Sequence, residues 1–145
     1  MRALAGAVLL AAIVAACQPG GTVFKATVRQ PDGSYPLEVV LGDQTGQVKT
    51  VEAAPDVGID VDVRLALPQV LEDPADPNAI LLSWATGACD DVAISFQRSD
   101  PGYRIDIDAH DRIGLGCTAQ LLFRNLRIGF AEPIPIDQIR ASGGR

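Results

Sequence analysis

His110 is the only histidine of the chain. Asp108 and Asp111 flank it, and serines stand at Ser83, Ser95 and Ser99. Serine, histidine and aspartate are the parts of a nucleophilic hydrolase site, in which the imidazole takes the hydroxyl proton. The G-x-S-x-G elbow that presents such a serine is missing, and a histidine at a turn between acids is ordinarily solvated. Asp106 and Asp108 share one face of an alternating strand, with Asp111 just beyond. Hard oxygen ligands at that spacing suit calcium. However, the EF-hand pattern is absent and Tyr103, Ile105 and Ile107 take the opposite face, so the acids fall where an alternating strand meets water. Asp60 and Asp62 read the same way. Asp90 and Asp91 are neighbours, and neighbouring strand residues point oppositely, which argues against a paired-carboxylate acid–base site. One of them is expected to accept hydrogen bonds from a turn. Cys89 and Cys117 are too far apart for a redox C-x-x-C, two sulfurs and one imidazole make a poor zinc set, and no phosphate-cradling glycine pattern occurs. This inventory predicts no catalytic residue, no metal and no cofactor.

The N-terminus carries a different chemistry. Arg2 is the only charge before Cys17, and Ala3 to Ala16 hold no charge and no strong polar group. At roughly 1.5 Å per residue this stretch falls short of ~30 Å of hydrocarbon, so it reads as a signal-peptide core and not as a membrane span. Val14-Ala15-Ala16-Cys17 closes it: an aliphatic residue, two small ones, then cysteine. This resembles the lipobox of bacterial lipoproteins. The resemblance implies a diacylglycerol (palmitate-type lipid) on the Cys17 thiol, cleavage before Cys17 and acylation of the new amino terminus. Two chains give the stable anchoring that one does not. The alternative is an ordinary secretory signal, since Val14 and Ala16 also suit that cleavage. It would leave an odd thiol among three cysteines in an oxidising compartment. Lipidation of Cys17 leaves Cys89 and Cys117 as an even pair and therefore an expected disulfide. Gln18-Pro19-Gly20-Gly21 is a short flexible spacer. Gln18 is not the aspartate of inner-membrane retention, so in a host with two membranes the resemblance points to the outer one.

The remaining segments must position whatever the domain does. A chain of 145 residues with 48% hydrophobic and 21% charged content suits one globular domain. Removing residues 1–16 takes Lys+Arg from 12 to 11 against 18 acids, a balance of −7. Such a surface repels phosphates, which argues against nucleic-acid binding and against a basic membrane patch. Period-two alternation dominates after Ala16. It is cleanest at Ile59–Leu67, which Pro68 ends. Further strands are predicted at Thr22–Val28, Leu37–Leu41, Gln47–Glu52, Ala79–Ala85, Val92–Gln97, Tyr103–Ala109 and Leu121–Phe130. Turn chemistry separates them at Pro31-Asp32-Gly33, Asp43-Gln44-Thr45-Gly46 and Asp100-Pro101-Gly102, with a loop at Asp73–Asn78 and a bend at Gly114 and Gly116. About eight short strands at this spacing predict an all-β fold, an antiparallel sandwich with one disulfide, over residues 22–140. Residues 17–21 form the spacer, and Ala141–Arg145 is expected to be a frayed tail.

The expected disulfide constrains that topology. A hairpin at Asp100-Pro101-Gly102 returns Cys117 to the end of the fold that holds Cys89. In a flat three-strand meander the outer strands would lie roughly 10 Å apart, more than a disulfide allows. Either Cys89 curls inward or Leu121–Phe130 crosses to the facing sheet, and the crossing is preferred because it makes a sandwich. The closed loop would stabilise the fold by roughly 3–4 kcal/mol.

Trp84-Ala85-Thr86-Gly87-Ala88-Cys89-Asp90-Asp91, Tyr103-Arg104-Ile105, Cys117 and Arg124-Asn125-Leu126-Arg127-Ile128 together resemble the C-terminal half of a group of uncharacterised bacterial lipoproteins and secreted proteins. Leu37–Glu52 resembles their earlier segment, so that about two-thirds of the mature chain is covered. The resemblance implies a β-rich extracytoplasmic domain with one disulfide, and it supplies no substrate and no catalytic residue. An immunoglobulin-like arrangement fits less well, because Trp84 precedes the first cysteine of the pair.

Trp84 is in phase with Ile80 and Leu82, and Phe96 with Val92 and Ile94, so both are predicted core. Arg127 should face outward. Arg124 falls in phase with the apolar set, which requires either a bulge or a buried acid beside it. The expected function is a lipid-anchored cell-envelope module that binds an unknown protein or small molecule or serves structurally, without catalysis. An inhibitor of a periplasmic or surface hydrolase is the alternative, acting through a loop at Glu72–Asn78 or His110–Gly116, and a hydrolase is the least favoured reading.

Overall fold

The computed structural model of the chain describes residues 21–28, 36–60, 62–63, 67–111 and 121–144. The expectations for Met1–Ala16, Cys17, most of the spacer, Pro31-Asp32-Gly33, the bend at 112–116 and Cys117 lie outside the described residues. Among the described residues there are nine strands: β1 (Thr22–Val28), β2 (Leu37–Asp43), β3 (Val48–Ala53), β4 (Gln69–Glu72), β5 (Ala79–Gly87), β6 (Asp90–Arg98), β7 (Tyr103–Asp111), β8 (Leu121–Phe130) and β9 (Ile139–Gly143). They form a five-stranded sheet, β1-β2-β6-β7-β9, and a four-stranded sheet, β3-β8-β5-β4. The all-β reading holds.

The two sheets share one core. Val39, Leu41, Val92, Ile94, Phe96, Ile105 and Ile107 from the first meet Ile80, Leu82, Trp84, Leu126, Ile128 and Phe130 from the second. The ring of Phe96 lies 5.2 Å from Phe130 across the sheets and 5.2 Å from Tyr103 on its own hairpin. Trp84 and Phe96 are fully buried, as their phase predicts. β2 and β6 alternate because one face meets this core and the other meets water, whereas β5 and β8, in the middle of the second sheet, are buried along most of their length. Strand β8 lies in the sheet that faces β6 and β7, which is the crossing preferred from sequence.

Three expectations are corrected. The sheets are not purely antiparallel: β2 pairs β6 in parallel, and β7 pairs β9 in parallel. Strand β9 occupies Ile139–Gly143, where a frayed tail was expected from Ala141 onward, and Ile139 is buried in the core. Pairing stops at Pro133 and Pro135, and the chain re-enters the first sheet after a 3-10 turn at Ile136–Gln138. Finally, the cleanest alternation, Ile59–Leu67, has no strand among its described residues. Asp62 and Val63 are helical there, and Val63 and Leu67 are exposed. The cause is local competition: the Asp56 carboxylate accepts from the Gly58 N–H at 3.2 Å and Asp60 from the Asp62 N–H at 2.9 Å. Such short side-chain turns divert the backbone from a ladder. The sheet edge is taken instead by β4, just beyond Pro68, in register with β5.

Asp43 organises the passage from the first sheet to the second. It is fully buried at the end of β2, and its carboxylate accepts from the Thr45 N–H at 2.8 Å, the Thr45 hydroxyl at 2.7 Å and the buried Val48 N–H at 3.0 Å. Gly46 supplies the left-handed conformation the turn needs, with φ of 73°. Asp43→Ala removes charged hydrogen bonds and strands the Val48 donor. It should lower stability by about 2–3 kcal/mol, read as the shift in free energy from urea unfolding, whereas Gln44→Ala on the exposed side of the same turn should change it little.

Candidate functional site

The residues with catalytic potential are dispersed. His110 is exposed on the outer face of β7, with Nε2 2.9 Å from Asp108. Ser83 lies in the other sheet, Ser95 is opposite Asp106, and Ser99 sits in the β6–β7 turn at the far end. Among the described residues the structure brings no serine to His110. Asp106 and Asp108 do share the outer face, but Asp111 takes the opposite register position, across from Asp90 and in phase with Ile105 and Ile107. Asp106 is already engaged: it accepts from Arg104 Nε at 2.8 and 2.7 Å, Gln97 Nε2 at 3.0 Å and the Ser142 hydroxyl at 2.5 Å. The Arg104 hydrogen bond, aided by Ser142 and Gln97, holds the Asp106 carboxyl below its ordinary value against the opposing effect of desolvation. Among the described residues no group of three potential metal ligands comes together.

Asp90 and Asp91 separate as adjacent strand residues must. Asp91 is exposed opposite His110, while Asp90 is buried and in phase with Val92 and Ile94. The Asp90 carboxylate accepts from the Thr86 hydroxyl at 2.6 Å and the Gly87 N–H at 2.6 Å, closing the β5–β6 turn that holds Cys89. A Cβ on Gly87 would sit 2.7 Å from that carboxylate, so a side chain there would have to displace it. Arg124 is fully buried opposite Trp84, and the β5–β8 register runs unbroken from Ala79 to Gly87. The bulge alternative therefore fails. Trp84–Arg124 and Thr86–Leu122 are successive pairs on the inner face, so Arg124 stands one pair away from the hydroxyl that Asp90 binds.

A concavity lies elsewhere, beside β4. A cleft of about 470 Å³ opens between the β4–β5 loop and the segment after β8. One wall carries Glu72, Asp73, Pro74, Asp76 and Pro77; the other carries Pro133, Ile134, Pro135 and Ile136; Ala79 and Ile80 complete it. The acidic wall is held by Arg127 on the outer face of β8. Its Nε donates to Asp73 at 2.7 Å and its Nη2 to Asp76 at 2.6 Å, with Glu52 at 3.9 Å from Nη1. Each aspartate also closes its own turn: Asp73 accepts from the Ala75 N–H and Asp76 from the Asn78 N–H, both at 2.9 Å. The outward direction of Arg127 follows from strand phase. Its two partners, more than fifty residues away, carry no sequence signal beyond the acid-and-proline composition of their loop.

No family model, curated protein or solved structure matches the chain. Among the described residues no helix is long and apolar enough to cross a membrane.

The Ala75 N–H and then the Arg127 guanidinium hold the Asp73 carboxyl below its ordinary value of 3.8. A carboxyl depressed in the folded state stabilises above its unfolded value, and that stabilisation is lost as pH falls through the folded value. Thermal midpoints of the wild type and Asp73→Asn should therefore differ at neutral pH and converge as the pH is lowered from about 4. Midpoints that stay equally separated in acid would mean that the Asp73 charge contributes nothing.

Proposed function

We propose that the chain is an exported lipoprotein, held at the outer side of a bacterial membrane by lipid on Cys17, whose folded part is a binding or envelope-structural module. In a host with two membranes the site of action is the outer one. The observation that carries this reading is the spacing between the lipobox cysteine and the first strand. β1 begins at Thr22, directly after the spacer residues Gln18–Gly21. Fully extended, that link reaches roughly 17 Å, enough to clear the headgroups and too short for the domain to leave the membrane surface. The net acidity of the chain, −6 with a pI near 4.6, fits attachment by lipid and not by a basic patch.

The Cys89–Cys117 bridge belongs to the same reading. Its support is the placement of Cys89 in the β5–β6 turn and the passage of the chain from β7 in one sheet to β8 in the other. A binding role draws on the cleft beside β4, whose volume lies within the roughly 300–1,000 Å³ of small-ligand sites.

Metabolic labelling with an alkyne palmitate tests the anchor. Wild-type protein should carry label and partition with detergent, while Cys17→Ala should be unlabelled and remain aqueous. Mass spectrometry that finds the Cys17 sulfur bare in wild-type protein would end the proposal. Non-reducing peptide mapping of the same samples should recover Cys89 joined to Cys117.

A further inference from the structure

We propose that the cleft beside β4 binds a short extended peptide segment carrying a lysine or arginine next to an aliphatic residue. The inference rests on the binding-module reading of the fold and not on the lipid. It comes from the chemistry of the lining. None of the eleven lining residues is cationic, and three are carboxylates. Pro74, Pro77, Pro133 and Pro135 offer carbonyl oxygens and no backbone N–H. The surface is thus rich in acceptors and poor in donors, and an ammonium or guanidinium group brings donors alone. Ile134, Ile136 and Ile80 give the aliphatic part of such a side chain, and its neighbour, an apolar floor.

The charge balance favours a cation even after internal pairing. Arg127 is the one base on the acidic wall, and it is shared among Asp73, Asp76 and Glu52. Glu72 is exposed at the rim. Of the three carboxylates in the lining, Asp73 and Asp76 share the single charge of Arg127 behind them, so the lining is net negative. An extended peptide fits better than an isolated amine because β4 is the last strand of its sheet. The outer backbone edge of β4 has no ladder partner among the described residues, the setting in which an added strand gains main-chain hydrogen bonds. The walls are also prepared in advance: Pro74, Pro77 and the Arg127 clamp restrain the acidic loop, and Pro133 and Pro135 restrain the facing segment, so that little conformational freedom is lost on binding.

The test is an NMR titration of the full chain in detergent micelles with a blocked lysine–leucine–lysine–leucine peptide and with its twin acetylated on both lysine amines. The cationic peptide should shift the amides of Ala79, Ile80 and Ile136 saturably. Acetylation should weaken binding by about tenfold or more, and Glu72→Gln, which leaves the clamp intact, by severalfold. Equal binding of both peptides at the cleft would overturn the cation selection while leaving the cleft as a binding site. Absence of any saturable shift at the cleft would overturn both the inference and the binding reading of that cleft, and palmitate labelling of Cys17 would be untouched by either result.

Discussion

The register between β5 and β8 is the constraint on which the rest of the structure depends. It is nine residues long, antiparallel and unbroken. It places Ile80, Leu82 and Trp84 beside Ile128, Leu126 and Arg124 on the inner face, and it leaves Arg127 opposite Leu81 on the outer face. The two arginines are three positions apart and so face oppositely. One is fully buried at the polar end of the core and the other clamps the β4–β5 loop. A slip of one residue would exchange them, setting Arg127 against the apolar core and withdrawing the clamp. Core packing and cleft shape are therefore fixed by the same ladder, and a sequence change that loosens one is felt in the other.

The chain repeatedly leaves one sheet for the other, and the parallel pairs follow from that. Between β2 and β6 it travels through β3, β4 and β5 of the facing sheet, and between β7 and β9 it travels through β8. A strand that departs to the other layer can return beside its predecessor in the same direction without a covering helix. Parallel pairing thus arises here in an all-β chain, although it usually needs a helical crossover. The same crossings bring the sheet margins together: β1 contacts β3 at one side and β4 contacts β9 at the other.

The sequence made legible what single-residue alternation controls. Thr22–Val28 and Leu121–Phe130 were readable to the residue, Trp84 and Phe96 as core, and a turn acceptor at one of Asp90 and Asp91, because each depends on neighbours a few positions away. Ile59–Leu67 misled because alternation states only that a segment can be half-buried. It does not say whether a sheet edge is open, and Asp56 and Asp60 bind nearby backbone instead. β9 was missed for the converse reason. Two prolines conceal a short strand whose only local signal is Ile139 followed by Ala141, and whose partner, β7, is supplied by the tertiary fold. The Arg127 clamp joins β8 to a loop more than fifty residues away, so only the outward direction of Arg127 could be read, never its partners.

These placements bear on how an anchored domain can meet a ligand. In the proposed arrangement the tether enters at β1, on the margin where β1 and β3 meet. The cleft lies beside β4, on the margin where β4 and β9 meet. Four strand spacings of about 4.8 Å separate the two margins of the larger sheet, roughly 19 Å in all. That is more than two Debye lengths of about 8 Å at physiological ionic strength, so anionic headgroups near the tether are largely screened from the cleft. The field that a cationic ligand meets there is set by Glu72, Asp73 and Asp76 and not by the membrane. With the proposed anchor, the short link and the breadth of the larger sheet would set the tether and the acidic cleft at opposite margins of the domain.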